Sequence, residues 1–279
     1  MRALWVLAVL CLGACESGVV AVIGTERAYT VYGYLSPRAD TQAVRVFAID
    51  GTIDEIRPDP LDARVESVSL DTGQRHAWRD SVIQFAENNF GHVFWTRFTP
   101  AYGEQLRLSL TRPDGLAATV DIAMPPLAEP LLEAPTVSPG YVELPVLWHL
   151  APRLNNVRVR YYTNKGRFDF DYGNVQRASP DGPIAAVLPH QDARTIFSEV
   201  FRTGGDTREV RLRRIEQFVL VSSANWAPPG NVFDPDLLIE PGHFSNVTNG
   251  FGFVGAGYEA SFLYEVPDSI ALAAGFFVD

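Results

Sequence analysis

From Arg27 onward the chain consists of short runs rich in Val, Tyr, Phe, Leu and Thr, separated by Gly, Pro, Asp and Asn. Runs with a period of two predict β-strands, and the residues between them predict turns. The pattern is clearest at 105–111, where leucines alternate with Arg107 and Ser109. Eight strands are predicted in this way: Tyr29–Leu35, Ala43–Ile49, Arg64–Leu70, Arg75–Trp78, Ser81–Phe85, His92–Phe98, Glu104–Leu110 and Leu116–Ile122. They predict an all-β sandwich of immunoglobulin-like or transthyretin-like type.

The second half of the chain is also rich in predicted strands. Between Val157 and Tyr172, two alternating runs flank Asn164-Lys165-Gly166, which predicts a hairpin. At His190–Thr203, apolar residues lie at helical spacing and Gly204-Gly205 ends the run, so we predict one short helix there. Glu209–Ser222 fits a long bent strand or a helix that breaks into a strand, and we favour the strand.

Prolines mark the boundary between the two halves. The segment 125–140 contains five of them. Because proline cannot donate to a strand ladder, this segment predicts a stiff extended connection. We therefore predict a β-sandwich domain at 27–124, a proline-rich linker at 125–140, and a second β-rich domain with one short helix at 141–279.

The first fifteen residues predict where the protein is located. Arg2 precedes an apolar run that is too short for a membrane-spanning helix but fits the apolar part of a removable export signal. Leu12-Gly13-Ala14-Cys15 resembles the bacterial lipobox, in which a signal peptidase cuts before a lipidated cysteine. The resemblance implies a signal peptide at 1–14 and a lipidated tether at 15–26. The alternatives are an ordinary signal that is cleaved after Ala14 and a trimmed N-terminal anchor.

Lipid on Cys15 would hold the protein on a membrane, since each buried methylene contributes about 0.8 kcal/mol. We therefore expect a lipid-anchored protein of a bacterial outer membrane, on its periplasmic or its cell-surface face. The formal net charge of −10 disfavours nucleic acid and anionic lipid headgroups as partners. Cys11 leaves with the signal and Cys15 carries the lipid, so the mature chain has no thiol for a disulfide, a metal or catalysis.

Motifs for catalysis and for cofactors are weak. The five histidines are scattered without the pairing that zinc needs, and the chain has no Gly-x-Ser-x-Gly elbow. The string Gly250-x-Gly252-x-x-Gly255 leads into a predicted strand, so it does not indicate a phosphate site. Asp234, Asp236 and Glu240 could bind calcium, but the known loop motif is incomplete and a solvated acidic loop is favoured. We expect no metal, no cofactor and no catalytic residue.

Two stretches are candidates for contact with a ligand or partner. The loop 226–241 is long and rich in Pro, Asn and Asp, and such loops are often functional. The stretch 250–264 interleaves glycines with aromatic residues, which favours core filling over a binding face. We expect Trp226 to be exposed and to be the best contact residue. The candidate contact residues are Trp226, Phe233, Asp234 and Asp236.

Several stretches resemble one family. The lipobox and the stretches Tyr32–Ser36, Gln42–Val46, Tyr102–Leu108, Met124–Pro126 and Phe244–Gly252 are together similar to uncharacterised Bacteroidota-type envelope lipoproteins with domain of unknown function 4249. The resemblance spans most of the mature chain. Genes of such lipoproteins often lie beside those of TonB-dependent outer-membrane receptors, which implies a role in capture or uptake with a barrel partner. The family supplies no catalytic residues to carry over.

We therefore expect a non-enzymatic, lipid-anchored binding or accessory protein that partners a TonB-dependent receptor in nutrient capture or uptake. Two other classes stay open. An envelope hydrolase acting on glycan or peptide would show a cleft with paired carboxylates or a serine oriented by a histidine. A structural subunit of an envelope complex would show an exposed apolar patch larger than roughly a few hundred Å².

Overall fold

The structure is a computed structural model that describes residues 27–49, 59–86, 89–173, 177–226 and 245–278. Strands dominate these ranges, so the predicted mainly β class is confirmed. All eight strands predicted in the first half are present, with ends that differ by at most three residues. The strands are β1 (Tyr29–Leu35), β2 (Thr41–Ala48), β3 (Arg64–Ser69), β4 (Arg75–Ala77), β5 (Arg79–Ala86), β6 (Asn89–Arg97), β7 (Gln105–Thr111), β8 (Ala117–Ala123), β9 (Glu129–Leu132), β10 (Thr136–Ser138), β11 (Tyr141–His149), β12 (Arg153–Thr163), β13 (Gly166–Gly173), β14 (Ile184–Val187), β15 (Leu212–Ser222) and β16 (Gly250–Glu265).

Eight of these strands form one long sheet that joins the beginning and the end of the described chain. Its order is β13-β12-β15-β16-β1-β2-β6-β5. β1 pairs with β16 in parallel, with Tyr29 opposite Gly250 and Leu35 opposite Ala256. The other pairs in the sheet are antiparallel. The two segments predicted as separate domains thus share a sheet, and β16 belongs to both.

The N-terminal half is a two-layer sandwich, as the strand pattern predicts. A second sheet, in the order β4-β3-β7-β8, lies against β16, β1, β2 and β6. Leu106, Leu108 and Leu110 of β7 are buried in the core that contains Val44 and Phe94 from the long sheet. The residues between these leucines face solvent, because successive side chains of a strand point to opposite faces.

The C-terminal half places another small sheet on the long sheet. β11 is its centre and pairs with β9, β10 and β14. Trp148 of β11 is fully buried against Val157 of β12, Val219 of β15 and Tyr258 of β16. β9 and β10 lie within the proline-rich segment 125–140, and both occupy an edge of the small sheet, where a missing N–H is tolerated.

The side chains of β16 alternate between the two faces of the long sheet. Even-numbered residues from Gly250 to Ala260 are buried: Val254 belongs to the N-terminal core and Tyr258 to the C-terminal core. Odd-numbered residues point to the opposite side, which we call the outer face. On that face Phe253 is buried, whereas Glu259 and Ser261 are exposed. One strand therefore supplies both cores and the middle of the outer face.

Glycine allows β1 and β16 to pair closely. Gly252 has a φ of +99°, and a Cβ there would lie 2.1 Å from the carbonyl oxygen of Val31. A Cβ on Gly250 would lie 2.7 Å from the carbonyl oxygen of Tyr29. Both separations are shorter than any real contact, so these positions need glycine. The core-filling role predicted for this stretch is confirmed at Phe253.

Two helices lie within the described residues of the C-terminal half. Helix α1 (Pro189–Arg202) confirms the predicted helix and buries Ala193, Ile196 and Val200 in a core that includes residues of β11, β12 and β15. Helix α2 (Asp268–Ala273) was not predicted, because its six residues are too few to show a helical period. β15 confirms the choice of a strand after a short 3-10 turn at Thr207–Glu209.

A buried carboxylate fixes the start of α1. Tyr161 donates a hydrogen bond to Asp192 at 2.5 Å, and the hydroxyl of Tyr172 donates to the same carboxylate oxygen. The Tyr172 hydroxyl also accepts a bond from the backbone N–H of Leu188, the residue before the helix. Burial raises the pKa of Asp192 above its usual value, although both tyrosine hydrogen bonds favour the charged form. The cluster attaches the helix to β12 and β13.

We expect Gly252→Ala to destabilise the protein by about 3 kcal/mol or more, because the new methyl group would overlap the backbone of β1. Gly103→Ala is the matched control, since Gly103 also has a positive φ, of 79°, but no atom lies within 4 Å of the added Cβ. There, backbone strain alone costs about 1 kcal/mol. Urea denaturation measures both losses, and equal losses would contradict the close pairing of β1 and β16.

Asp192→Asn should change how stability depends on pH. Because burial raises the pKa of Asp192, the folded state favours the protonated carboxyl group. Below the pKa of about 3.9 that aspartate has in the unfolded chain, the group is protonated in both states and costs the folded protein no stability. The wild type then loses stability as pH rises through the raised folded pKa, whereas the asparagine variant does not. Urea denaturation from pH 4 to pH 7 should show the variant gaining relative to the wild type.

Asp121→Asn is the control, because the Asp121 carboxylate should make stability change with pH in the opposite direction. Arg107 hydrogen-bonds the exposed Asp121 carboxylate and lowers its pKa, so the wild type gains from this group as pH rises above the lowered folded value. A stability difference between wild type and Asp192→Asn that stays constant with pH would show that Asp192 is not held in a desolvated site.

Candidate functional site

A large cleft lies on the outer face of the long sheet. Its volume is about 1070 Å³, and it lies beside the point where β1 ends along β16. β12, β15 and β16 form its floor, and the turn between β1 and β2 and Trp226 form its walls. The described lining residues are Gly33, Tyr34, Ser36, Arg38, Ala39, Thr41, Gln42, Ala43, Asn155, Asn156, Arg158, Asp171, Phe218, Val219, Leu220, Trp226, Glu259, Ala260 and Ser261.

One row of side chains crosses the floor. Asp171 on β13 is opposite Arg158 on β12, Arg158 is opposite Phe218 on β15, and Phe218 is opposite Ser261 on β16. Directly paired residues on adjacent strands point to the same face, so the register alone brings these four side chains together. The Arg158 guanidinium lies 5.7 Å from the centre of the Phe218 ring. The floor therefore combines an aromatic ring with charged and polar groups.

A β-bulge shapes the part of the floor around Asn155 and Asn156. The pairing of β12 with β15 shifts register between Asn155 and Arg158. Asn156, inside the bulge, has a left-handed backbone with a φ of 49° and is exposed. Asn155 is buried and donates a hydrogen bond to the hydroxyl of Ser222 at 2.6 Å. Bulges of this kind redirect side chains and are common beside functional sites.

The turn between β1 and β2 is held by one buried glutamine. Gln42 is 2% exposed and its side-chain oxygen accepts the backbone N–H of Ser36 at 2.9 Å. Its side-chain nitrogen donates to the carbonyl oxygens of Ser36, Ala39 and Phe98 at 2.8–3.2 Å. The turn thus has a fixed shape although it protrudes from the sheet.

Arg38 attaches this turn to β16. Its guanidinium donates to the carbonyl oxygen of Glu259 at 2.6 Å and to the hydroxyl of Tyr102 at 3.2 Å. It also lies 4.7 Å from the centre of the Tyr258 ring. β1 pairs with β16 only as far as Ala256, so Arg38 occupies the edge of β16 just beyond the end of β1.

The expected exposure of Trp226 is wrong. Its side chain is 4% exposed and forms edge-to-face contacts with Phe253 and Tyr34. Gly255 opposite leaves room for the indole, since a Cβ there would lie 2.5 Å from that ring. The indole N–H is buried and has no hydrogen-bond partner among the residues that the structure describes. Trp226 is therefore a wall of the cleft, and its role in ligand contact stays a prediction.

The other predicted site residues lie outside the described ranges. These are Cys15 and the loop residues Phe233, Asp234 and Asp236, together with Glu240 of the calcium alternative. Within the described ranges, no group of three or more His, Cys, Asp and Glu side chains could hold a metal ion. In the same ranges no helix is both long and apolar enough to cross a membrane.

The charged groups of the lining are balanced. Arg38 and Arg158 are its cations, and Asp171 and Glu259 are its anions. Asp171 and Glu259 lie on strands that are three pairings apart, which separates their backbones by about 14 Å. Glycosidases place their two carboxyl groups about 5 to 9.5 Å apart. No histidine or cysteine is among the described lining residues.

Sequence reasoning missed the floor of the cleft. The hairpin pattern placed Arg158 and Asp171 on one side of their strands, but both strands offered several such residues. Arg158 and Asp171 lie in the cleft because β12 pairs with β15 and β15 pairs with β16. The alternation pattern does not encode these pairings. The useful signal was the break in alternation at Asn155-Asn156, which marks the bulge.

Comparisons with known proteins add little. No protein-family model and no curated protein matches the chain. Among solved structures, bovine butyrophilin is similar at 10% identity over 86% of this chain and 99% of that chain, with a TM-score of 0.20. A TM-score this low carries no argument about fold or function. The fold and the site are therefore described from the chain's own residues.

Gln42→Met should loosen the wall of the cleft. Methionine fills a similar volume but removes the hydrogen bonds to the partly buried backbone N–H of Ser36 and carbonyl oxygen of Ala39, so we expect a loss of about 2 kcal/mol. Thr41→Ala, at the exposed neighbouring position, should cost about 0.5 kcal/mol or less. Urea denaturation and amide exchange of 36–42 measure the two effects. Unchanged exchange in Gln42→Met would show that the turn is held by other contacts.

Proposed function

We propose that this chain is a lipid-anchored binding protein of a bacterial outer membrane that holds its ligand in the outer-face cleft. The observation that carries the proposal is the cleft itself, which combines rigid walls with polar groups that have no hydrogen-bond partner among the described residues. Gln42 and Arg38 fix one wall, and Trp226 fixes another. A preformed concave site with a few placed polar groups is typical of ligand binding.

The position of the cleft agrees with attachment through Cys15. The chain enters the long sheet at Tyr29, and the cleft lies beside Leu35, which is about 20 Å further along β1. The residues between Cys15 and Tyr29 can span at most about 50 Å. A lipid at Cys15 would therefore attach the protein from the start of β1 and leave the cleft away from that end.

A TonB-dependent outer-membrane receptor is the proposed partner. The lipobox and the stretches Tyr32–Ser36 and Gln42–Val46 resemble envelope lipoproteins whose genes lie beside those of such receptors. Gly33, Ser36 and Gln42 from these stretches line the cleft or hold its wall. The resemblance and the cleft thus point to the same part of the chain, which supports a role in capture or uptake.

Cys15→Ala should release the protein from membranes, because the modification would lose its attachment atom. Cys11→Ala is the matched control, since Cys11 lies inside the segment that is removed. Fractionation of the native host, with mass spectrometry of the mature N-terminus, tests both. We expect the wild type and Cys11→Ala in the membrane fraction with lipid on Cys15. A free thiol at Cys15, or membrane retention of Cys15→Ala, would contradict the anchor.

Isolation from native membranes in mild detergent tests the partner. We expect a receptor barrel to accompany the wild type and the Gly103→Ala variant, and to be reduced with Gly252→Ala, which disturbs the sheet that carries the cleft. Repeated isolation of the wild type without any barrel would contradict the partnership. Ligand binding in the cleft is tested separately, by direct titration.

A further inference from the structure

The floor of the cleft offers side chains, and not backbone groups, to a ligand. Its middle strands, β12 and β15, are paired on both sides, so their N–H and C=O groups are already bonded within the sheet. An extended peptide that binds by strand addition needs a free edge instead. A ligand that lies over β12 and β15 must therefore be recognised by the side chains that stand on the sheet, and on the edge of β16 beyond Ala256 the carbonyl oxygen of Glu259 is already bonded to Arg38.

Those groups are planar and polar, and they have few partners among the described residues. Arg158 lies over the Phe218 ring and interacts electrostatically with Asp169, and neither Asn156 nor the Glu259 carboxylate has a hydrogen-bond partner among the described residues. One oxygen of Asp171 accepts the backbone N–H of Gly173 at 2.8 Å, and no described residue donates to the other. Guanidinium, carboxamide and carboxylate groups each present two donors or acceptors side by side. Neighbouring hydroxyl groups of a sugar ring match such pairs.

The apolar part of the floor also fits a sugar. Phe218 lies at the centre of the row and is half-buried, and Tyr34 in the wall is 52% exposed. Aromatic rings pack against the C–H face of a sugar ring while the hydroxyl groups reach the polar side chains. The two cations and two anions among the described lining residues balance, which disfavours a strongly charged ligand. At about 1070 Å³, the cleft has room for more than one sugar ring.

We propose that the cleft binds an uncharged oligosaccharide, held by the side chains of Asn156, Arg158 and Asp171 and packed on the ring of Phe218. This assignment rests on the proposed binding function and names its ligand class. The Phe218 ring is the platform for one sugar ring, and the side chains of β12 and β13 bind its hydroxyl groups. Glu259 and Ser261 extend the polar surface along β16 toward a second ring.

Calorimetric titration of the detergent-solubilised full chain with neutral oligosaccharides of increasing length tests the proposal. We expect affinity to rise with length until the cleft is filled. Arg158→Gln and Asp171→Asn should each weaken binding about tenfold or more, because each removes a charged hydrogen-bonding group. Arg107→Gln and Asp121→Asn are matched controls on β7 and β8. They pair with each other at 2.6 Å on the second sheet, outside the cleft lining, and should change affinity less than about twofold.

A parallel titration with charged peptides separates two kinds of failure. If the protein binds charged peptides but no oligosaccharide, and if Arg158→Gln weakens the peptide binding, the sugar assignment is overturned. The cleft is then still the binding site. Oligosaccharide binding that the Arg158 and Asp171 variants leave unchanged would overturn the location. Binding of neither ligand set would overturn the proposed binding function as well. Thermal unfolding of each variant checks that the fold is retained.

Discussion

The parallel pairing of β1 with β16 is the contact on which the rest of the structure depends. It joins the first described strand to the last, and it makes one sheet out of two β-rich halves. Glycine makes it feasible, because Gly250 and Gly252 bring the backbone of β16 closer to β1 than any side chain would allow. Parallel neighbours that lie so far apart in sequence are entropically costly to bring together, so the buried residues of both cores must stabilise the pairing.

The cleft follows from the unequal lengths of these two strands. β16 is sixteen residues long and β1 is seven, so β16 continues beyond Leu35 with no described strand beside it on that edge. The turn after β1 rises there and is fixed to β16 through Arg38, while the outer faces of β15 and β12 continue as a floor. Strand alternation keeps the core on one side, so polar side chains on the other side can be selected for binding without disturbing the fold.

The local part of the fold was predictable from the sequence, and the pairing was not. Most strand positions were predicted correctly because alternation and turn residues are local signals, as at Gln105–Thr111 and at Asn164-Lys165-Gly166, whereas β9, β10 and β14 were not predicted. The parallel pairing of β1 with β16, in which Tyr29 is opposite Gly250, leaves no signal in the sequence of either strand. The alternation within one strand does not specify which other strand it pairs with. Trp226 was misjudged because its neighbours in sequence are typical of a loop, whereas its burial depends on Gly255, twenty-nine positions away.

Native-state hydrogen exchange across β1, β15 and β16 tests the central claim most directly, namely that one sheet carries both halves and thereby builds the cleft. If the pairing holds, the amides of Tyr29–Leu35 and Gly250–Glu265 exchange with the same free energy of opening, as one cooperative unit with Leu212–Ser222. If 27–124 instead opens at a lower free energy while 141–279 stays protected, the halves are independent. The cleft would then have no fixed wall, and the account would be contradicted.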